Sequence, residues 1–242
     1  MKISANFSQR VIVHSSELPW VASPMAGVER RALDRVGSEV ARATTIVRYA
    51  PGSKFSPHIH TGGEEFIVLE GTFQDEHGDY PTGSYVRNPP QSSHTPRSDE
   101  GCIILVKLWQ FQPEDRTHVC IQMNAIGKEQ KDKNSGVQTT SLYKDHIEEV
   151  SLLHFVANAK INLNPVGGSE FFVLEGEISE QQDQLKQHSW ARLPVDQSIN
   201  IKAGKNGAKI WMKTGHLSDV ANQVERVQEN IKQILGIKKP AY

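Results

Sequence analysis

The stretch Gly62 to Gly71 reads GGEEFIVLEG, and Gly167 to Gly176 reads GGSEFFVLEG, 105 positions further on. The same offset runs without a gap to SYVRNP at Ser84 and SWARLP at Ser189. Upstream, TIVRYAPGSKF from Thr45 matches SLLHFVANAKI from Ser151 at an offset of 106, as GCIILVK from Gly101 matches GAKIWMK from Gly207. One residue is therefore lost between these blocks, where SPHIHT (Ser56 to Thr61) faces NLNPV (Asn162 to Val166). A chain that repeats itself in this way is a duplicated unit. Domains are expected over 1–126 and 137–242, joined by a polar, aperiodic stretch from Asn124 to Thr140.

Each copy reads as strands. Short apolar or alternating runs such as TTIVRY (Thr44 to Tyr49), EFIVL (Glu65 to Leu69) and IILVKLW (Ile103 to Trp109) are separated by Gly, Pro, Asp and Asn clusters. Many short strands with turns between them give a sandwich or a barrel, an all-β fold. One segment breaks the pattern. Val220, Val224, Val227, Ile231 and Ile234 fall at spacings of four and three after Ser218 and Asp219, which supply an N-cap and an acidic first turn. A C-terminal helix over 218–235 is expected, packed on the second domain, with its narrow seam also suited to a homodimer contact. Lys232, Lys238 and Lys239 near its end suit the helix dipole.

Composition excludes several partners. Lys plus Arg number 27 against 28 Asp plus Glu, a net charge of −1, and no basic stripe is present of the kind that neutralises phosphates, so direct nucleic-acid binding is not expected. MKISANFSQRVIV lacks the apolar core of a secretory leader, and no apolar run approaches the length of a bilayer span. A soluble cytoplasmic protein is expected. Cys102 and Cys120 are too few for a disulfide framework and read as buried strand residues.

The first copy carries chemistry that the second lacks. In a strand, residues i and i+2 share a face, so His58 and His60 point the same way. Even spacing places Glu64 on that face, unless a turn at Gly62 and Gly63 resets the parity in favour of Glu65. With His94, which follows a proline-rich turn, these residues offer three imidazoles and a carboxylate. That set suits a divalent transition metal such as zinc, ferrous iron, nickel, manganese or copper. In the second copy NLNPV replaces the histidine segment, Ser169 stands for Glu64 and Ile199 for His94, so no metal is expected there. Glu170 matches Glu65, which points to a structural task for that position. His77, in the acidic turn DEHGDY, reads as a solvated residue. Phe66, Val68, Tyr85 and Trp109 are candidates either for the core or for a cavity wall.

These residues match a known family pattern. Gly52, His58, His60, Glu64 and Gly71 satisfy the spacing of the first cupin motif, and Gly83, Pro89 and His94 that of the second. The second motif departs at Gln91, which stands for a glycine, and at Ser98, which stands for an asparagine. From about Glu17 to Arg116 the chain resembles the cupin domain of ChrR-type anti-sigma factors, through SPMAGVERRALDR, ARATTIVRYAPGSKF, HTGGEEF, DEHGDYPTGSYVRNPP and GCIILVKLW. The resemblance implies two tandem jelly-roll (double-stranded β-helix) barrels and one metal ion, zinc first, on His58, His60, Glu64 and His94. It implies a module that senses a small molecule or an oxidant; the alternative is an Fe(II)-dependent dioxygenase that cleaves acetylacetone-like diketones or phenolic ketones. The His-x3-Cys-x2-Cys motif by which that family grips its sigma factor has no counterpart here, so direct sigma-factor binding is not expected.

Overall fold

The computed structural model describes residues 1–126 and 136–236; most of the 124–140 linker segment, and Lys238 and Lys239, lie outside the described residues. The chain is mostly antiparallel β-strand with one C-terminal α-helix, Val220–Ile234. It divides into two compact units, one of residues 1–5, 20–120 and 219–242, the other of residues 6–19 and 121–218.

In the first unit the principal strands lie in the spatial order Val28–Gly37, Ala41–Tyr49, Cys102–Leu108, Glu64–Asp75, Ser84–Asn88, each antiparallel to the next. Two short ladders complete it, His58–Ile59 with Ser93–His94 and Ser53–Lys54 with Arg97–Ser98. Alternation sends Val28, Val47, Tyr49, Phe66, Val68, Ile104 and Val106 to one buried cluster that also holds Phe73 and Val86. Each of the large side chains contributes about 1.5–3 kcal/mol by leaving water. Phe66 and Val68, open at the sequence level, are thus core. Ser98, in the place of the motif's asparagine, is buried and donates to the Thr72 carbonyl at 2.7 Å.

In the second unit the order is Val137–Lys144, Glu149–Phe155, Ile199–Thr214, Ser169–Glu180, Ser189–Leu193, Val11–His14. The twelve-residue strands Glu64–Asp75 and Ser169–Glu180 each pair with two principal antiparallel neighbours in their own unit, Cys102–Leu108 and Ser84–Asn88 for the first, Ile199–Thr214 and Ser189–Leu193 for the second. Gly71 and Gly176 show why both copies keep their glycine. Each has a left-handed φ, +71° and +74°, and a Cβ there would lie 2.2 Å from the Gly101 carbonyl or 2.4 Å from that of Gly207.

The units differ from the contiguous halves that the repeat suggests. Residues 6–19 belong to the second unit because Val11–His14 adds a strand to the edge at Ser189–Leu193, with Ile12 opposite Ala191. The helix belongs to the first, where it packs on Ala41–Tyr49 and Val28–Gly37. A buried polar network explains that choice. Arg42, fully buried, donates to Asp34 at 3.2 Å, to Gln110 at 3.1 Å and to Gln223 of the helix at 2.8 Å. Gln223 and Val227 are the helix's buried residues, while Ile234 is exposed, so the burial stripe departs from the expected seam. Asp219 makes no side-chain N-cap bond; its carboxylate instead accepts from Gln112 at 2.9 Å. Of the two cysteines, Cys102 is buried as expected and Cys120 is exposed.

Candidate metal centre

The site stands where two short strands meet the start of a long one. His58 lies directly opposite His94 in the ladder His58–Ile59/Ser93–His94. His60 follows one residue beyond that ladder, its N–H bonded to the Ser92 carbonyl at 2.8 Å. A turn through Thr61 to Gly63 then leads into Glu64, and Gly63, at φ +76°, packs so closely on Phe111 that a Cβ would meet the ring at 2.4 Å. Gln91 sits at φ +73°, so the position where the family pattern has glycine is left-handed here too; its N–H reaches the His60 carbonyl at 2.9 Å.

These elements bring three imidazoles to one point, with Glu64 beside two of them. His60 Nε2 lies 3.3 Å from His58 Nε2 and 3.0 Å from His94 Nε2. Glu64 Oε1 lies 3.7 Å from His60 Nε2 and 3.6 Å from His94 Nε2. Donors about 2.0–2.2 Å from a common ion are separated by about 3.0–3.5 Å in tetrahedral or octahedral geometry. The three imidazoles could therefore hold one ion, and Glu64 lies beside two of them. Glu65 points elsewhere. It is buried against Tyr85, whose hydroxyl donates to it at 2.7 Å, and Arg87, at 3.5 Å. Tyr85 serves that network and Trp109 lines the cavity beside the site.

A second layer orients the rings. His60 Nδ1 meets Ser92 Oγ, His94 Nδ1 meets Asp75 Oδ2 and His58 Nδ1 meets the Ser56 carbonyl, each at 3.1 Å. With these acceptors on Nδ1, each Nε2 lone pair is left facing the common point. Asp75 was hidden in sequence, because DEHGDY looks like a solvated acidic turn. In the structure its other oxygen accepts the N–H groups of His77 at 2.8 Å and Gly78 at 3.2 Å, and only 5% of the residue is exposed. Burial pushes this carboxyl up, but the bonds from His94 and His77 outweigh it and hold it below its ordinary range. Asp75→Asn is expected to weaken metal affinity by about 10–100-fold, measured by competition with a chromophoric chelator. His77 itself is exposed, its Nε2 3.2 Å from the Ser93 carbonyl.

The histidines titrate in opposite directions. Burial is the main cause that lowers His60, aided by His94 and His58 and opposed by Glu64, to about 4. Burial also opposes protonation of His94, but the bond to Asp75 and the charges of Glu64 and Asp75 outweigh it and raise its pKa. In the unfolded chain both titrate near about 6.5. From about 6.5 down to about 4 the unfolded chain binds a proton that folded His60 refuses, so His60 costs the metal-free protein about 3 kcal/mol of stability across that window. His94 contributes stability that is fully present below about 6.5 and is lost as pH rises through its raised folded value. The centre of the metal-free protein thus contributes most near pH 6.5; thermal melts in chelator across pH 4–8 check this, and His60→Ala should remove the acid limb.

The donors open onto a cavity of about 500 Å³ in the first unit, lined by His58, His60 and Glu64 and by apolar residues including Val47, Tyr49, Phe55, Val106 and Leu108. That volume suits a small organic ligand. The second unit holds a cavity of about 260 Å³ lined by Thr139, Glu149, Ser151, Ile161, Met212 and others, with no histidine or cysteine. Among the described residues the metal-capable cluster is that of His58, His60 and His94. No helix among them is long and apolar enough to cross a membrane.

Comparison with known proteins bears on the fold. Residues 8–112 match the model of the ChrR cupin-like domain. A search of curated protein sequences finds no match. Among solved structures, a protein assigned as a dioxygenase from Nostoc punctiforme PCC 73102 aligns at 15% identity and a TM-score of 0.67, over 87% of this chain and 84% of its own. The bacterial pirin YhhW of Escherichia coli, in complex with nickel(II), aligns at 14% and 0.63, over 85% and 98%. Salicylate 1,2-dioxygenase from Pseudaminobacter salicylatoxidans aligns at 12% and 0.60, over 81% and 79%. At these identities the structures share the fold.

Proposed function

We propose, from the fold shared with the solved structures and the match of residues 8–112 to the ChrR cupin-like domain model, that the first unit is a mononuclear metal centre acting on a small organic molecule. His58, His60, Glu64 and His94 hold one divalent transition-metal ion. The observation that carries the reading is that three of the four, His58, His60 and Glu64, line the 500 Å³ cavity. A structural metal site is closed by its four ligands, whereas a reactive one keeps positions open. The ion supplies Lewis acidity and, as ferrous iron, electrons for dioxygen chemistry. The chain's own residues orient the donors through Ser92 and Asp75, seat the organic molecule against Val47, Phe55 and Val106, and exclude water from it. The second unit, with its donors replaced, is read as the other half of a duplicated barrel that supports the fold.

The dioxygenase version of this reading is tested by loading purified protein with Fe(II) and measuring dioxygen consumption with diketones, phenolic ketones and phenolic acids. Substrate-dependent uptake that disappears in Glu64→Gln supports it; no uptake with any of the panel removes it. The second reading, a sensing module in the cytoplasm, is favoured by the ChrR-like match. It predicts no turnover, with a shift in melting temperature of the zinc-loaded protein on addition of ligand or oxidant. A homodimer is proposed with it, and sedimentation at micromolar concentration decides that point.

A further inference from the structure

The cavity contains a cation that the metal centre does not use. Arg30 sits on Val28–Gly37 opposite Val47, one step from the Val28/Tyr49 pair, and it lines the cavity together with Val28, Val47 and Tyr49. Strand alternation explains its inward position, because the neighbours on either side in sequence face the other way. Glu29 pairs with Arg48 there, and the Arg31 and Arg48 guanidiniums lie 4.2 and 4.4 Å from the Trp20 ring. The other arginines of these two strands have partners: Arg42 has Asp34, and Arg35 donates to the carbonyls of Ser38 and Glu39. Among the described residues, Arg30 has no carboxylate within ion-pair distance.

The charges lining the cavity are even in number, two guanidiniums against two carboxylates, but they are not paired in place. Arg30 and Arg35 both line it and act on each other through space, which with burial lowers Arg35. Facing them are Glu39, exposed at the rim beside Arg35, and Glu64, which belongs to the donor quartet. The Tyr49 hydroxyl adds a donor. It lies within electrostatic reach of both Glu64 and Arg30, and burial together with Glu64 keeps it protonated. Among the described residues it has no hydrogen-bond partner. A half-buried guanidinium in an apolar cavity is costly unless an anion meets it, and a guanidinium with a neighbouring hydroxyl matches a carboxylate's two oxygens.

We propose that Arg30, with the Tyr49 hydroxyl, binds the carboxylate of the organic ligand, and that the ligand is a small carboxylic acid with an apolar, ring-sized body. The body lies against Val47, Phe55 and Val106, and Arg30 fixes which end faces the donor quartet. Arg30 is in this role a positioning residue. The inference rests on the small-molecule reading of the first unit, but it does not require the ion for its test.

The test is calorimetric binding of benzoate, benzyl alcohol and inorganic phosphate to metal-free and metal-loaded protein, with metal content measured in each sample. Benzoate is expected to bind at least tenfold more tightly than benzyl alcohol in both forms. Arg30→Gln should remove that preference while leaving benzyl alcohol affinity and metal content unchanged, and Arg30→Lys should recover part of it. Equal affinity for benzoate and benzyl alcohol, undiminished benzoate binding by Arg30→Gln, or phosphate binding as tight as benzoate would overturn the proposal. If the protein holds no metal but the Arg30-dependent preference persists, the metal reading fails and this one stands. If metal binds but the preference is missing, the reverse holds. Melting curves of both Arg30 variants separate loss of binding from loss of fold.

Discussion

His60→Ala protein is expected to fold and to lose stoichiometric metal, with affinity falling by well over the 10–100-fold cost of a second-layer change. The size of the effect follows from the position of the ring. His60 Nε2 is the atom with close contacts to all the other donors, 3.3 Å from His58, 3.0 Å from His94 and 3.7 Å from Glu64. Removing it leaves two imidazoles and a carboxylate with a gap at the centre, and opens a water-filled space where a buried ring stood. Folding should survive, because the ring's burial is costly in the metal-free protein at mildly acid pH, and its removal takes that cost away. Titration with Zn(II) and Co(II) in the presence of a competing chelator checks the affinity, and the Co(II) spectrum reports whether the remaining donors still coordinate. Wild-type affinity in the variant would remove His60 from the centre.

The second large effect concerns stability and falls on Ser84–Asn88, where Arg87 lies opposite Glu65 in the neighbouring strand. Arg87→Ala is expected to cost about 3–5 kcal/mol, since removing one partner of a buried ion pair leaves the others uncompensated. Arg87 is 1% exposed, lies 3.5 Å from Glu65 and 3.1 Å from Asp115, and covers the Phe111 ring at 4.3 Å. Asp115 is held below its ordinary range because the Thr117 N–H and Arg87 outweigh its burial. Without Arg87 it should titrate higher, and the loss of stability should shrink as pH falls toward its new value. Urea unfolding at pH 7 and pH 5 measures both. The adjacent carboxylates then separate cleanly: Glu65→Gln should lower stability and keep the metal, and Glu64→Gln should keep stability and lose it.

The second copy explains why sequence could distinguish these two glutamates. Glu170 keeps the Glu65 position, buried and hydrogen-bonded by Trp190 at 2.7 Å and His216 at 3.2 Å, although the metal donors around it are gone. A residue retained where the chemistry is lost belongs to the fold. The strands and the convergence of His58, His60 and His94 were legible because each depends on period-two alternation and local spacing. Asp75 and Arg30 were not legible, for a different physical reason. An acid in a turn and an arginine in a strand look solvated until tertiary structure buries them, and Asp75 gains its partner His94 from nineteen positions away. The helix was found by its periodicity but its docking was not, because what seats it is Gln223 meeting Arg42 across 181 positions. Residues 6–19 escaped similarly, since the edge that Val11–His14 completes lies near the far end of the chain.

The most direct test of the whole account is a crystal structure of metal-loaded protein with anomalous diffraction recorded at the absorption edge of the ion. The account predicts a single anomalous peak per chain, coordinated by Nε2 of His58, His60 and His94 and by Glu64, with at least one position open to the cavity that Arg30 lines. A peak in the second unit, coordination by Glu65, or no peak between the three histidines would contradict it.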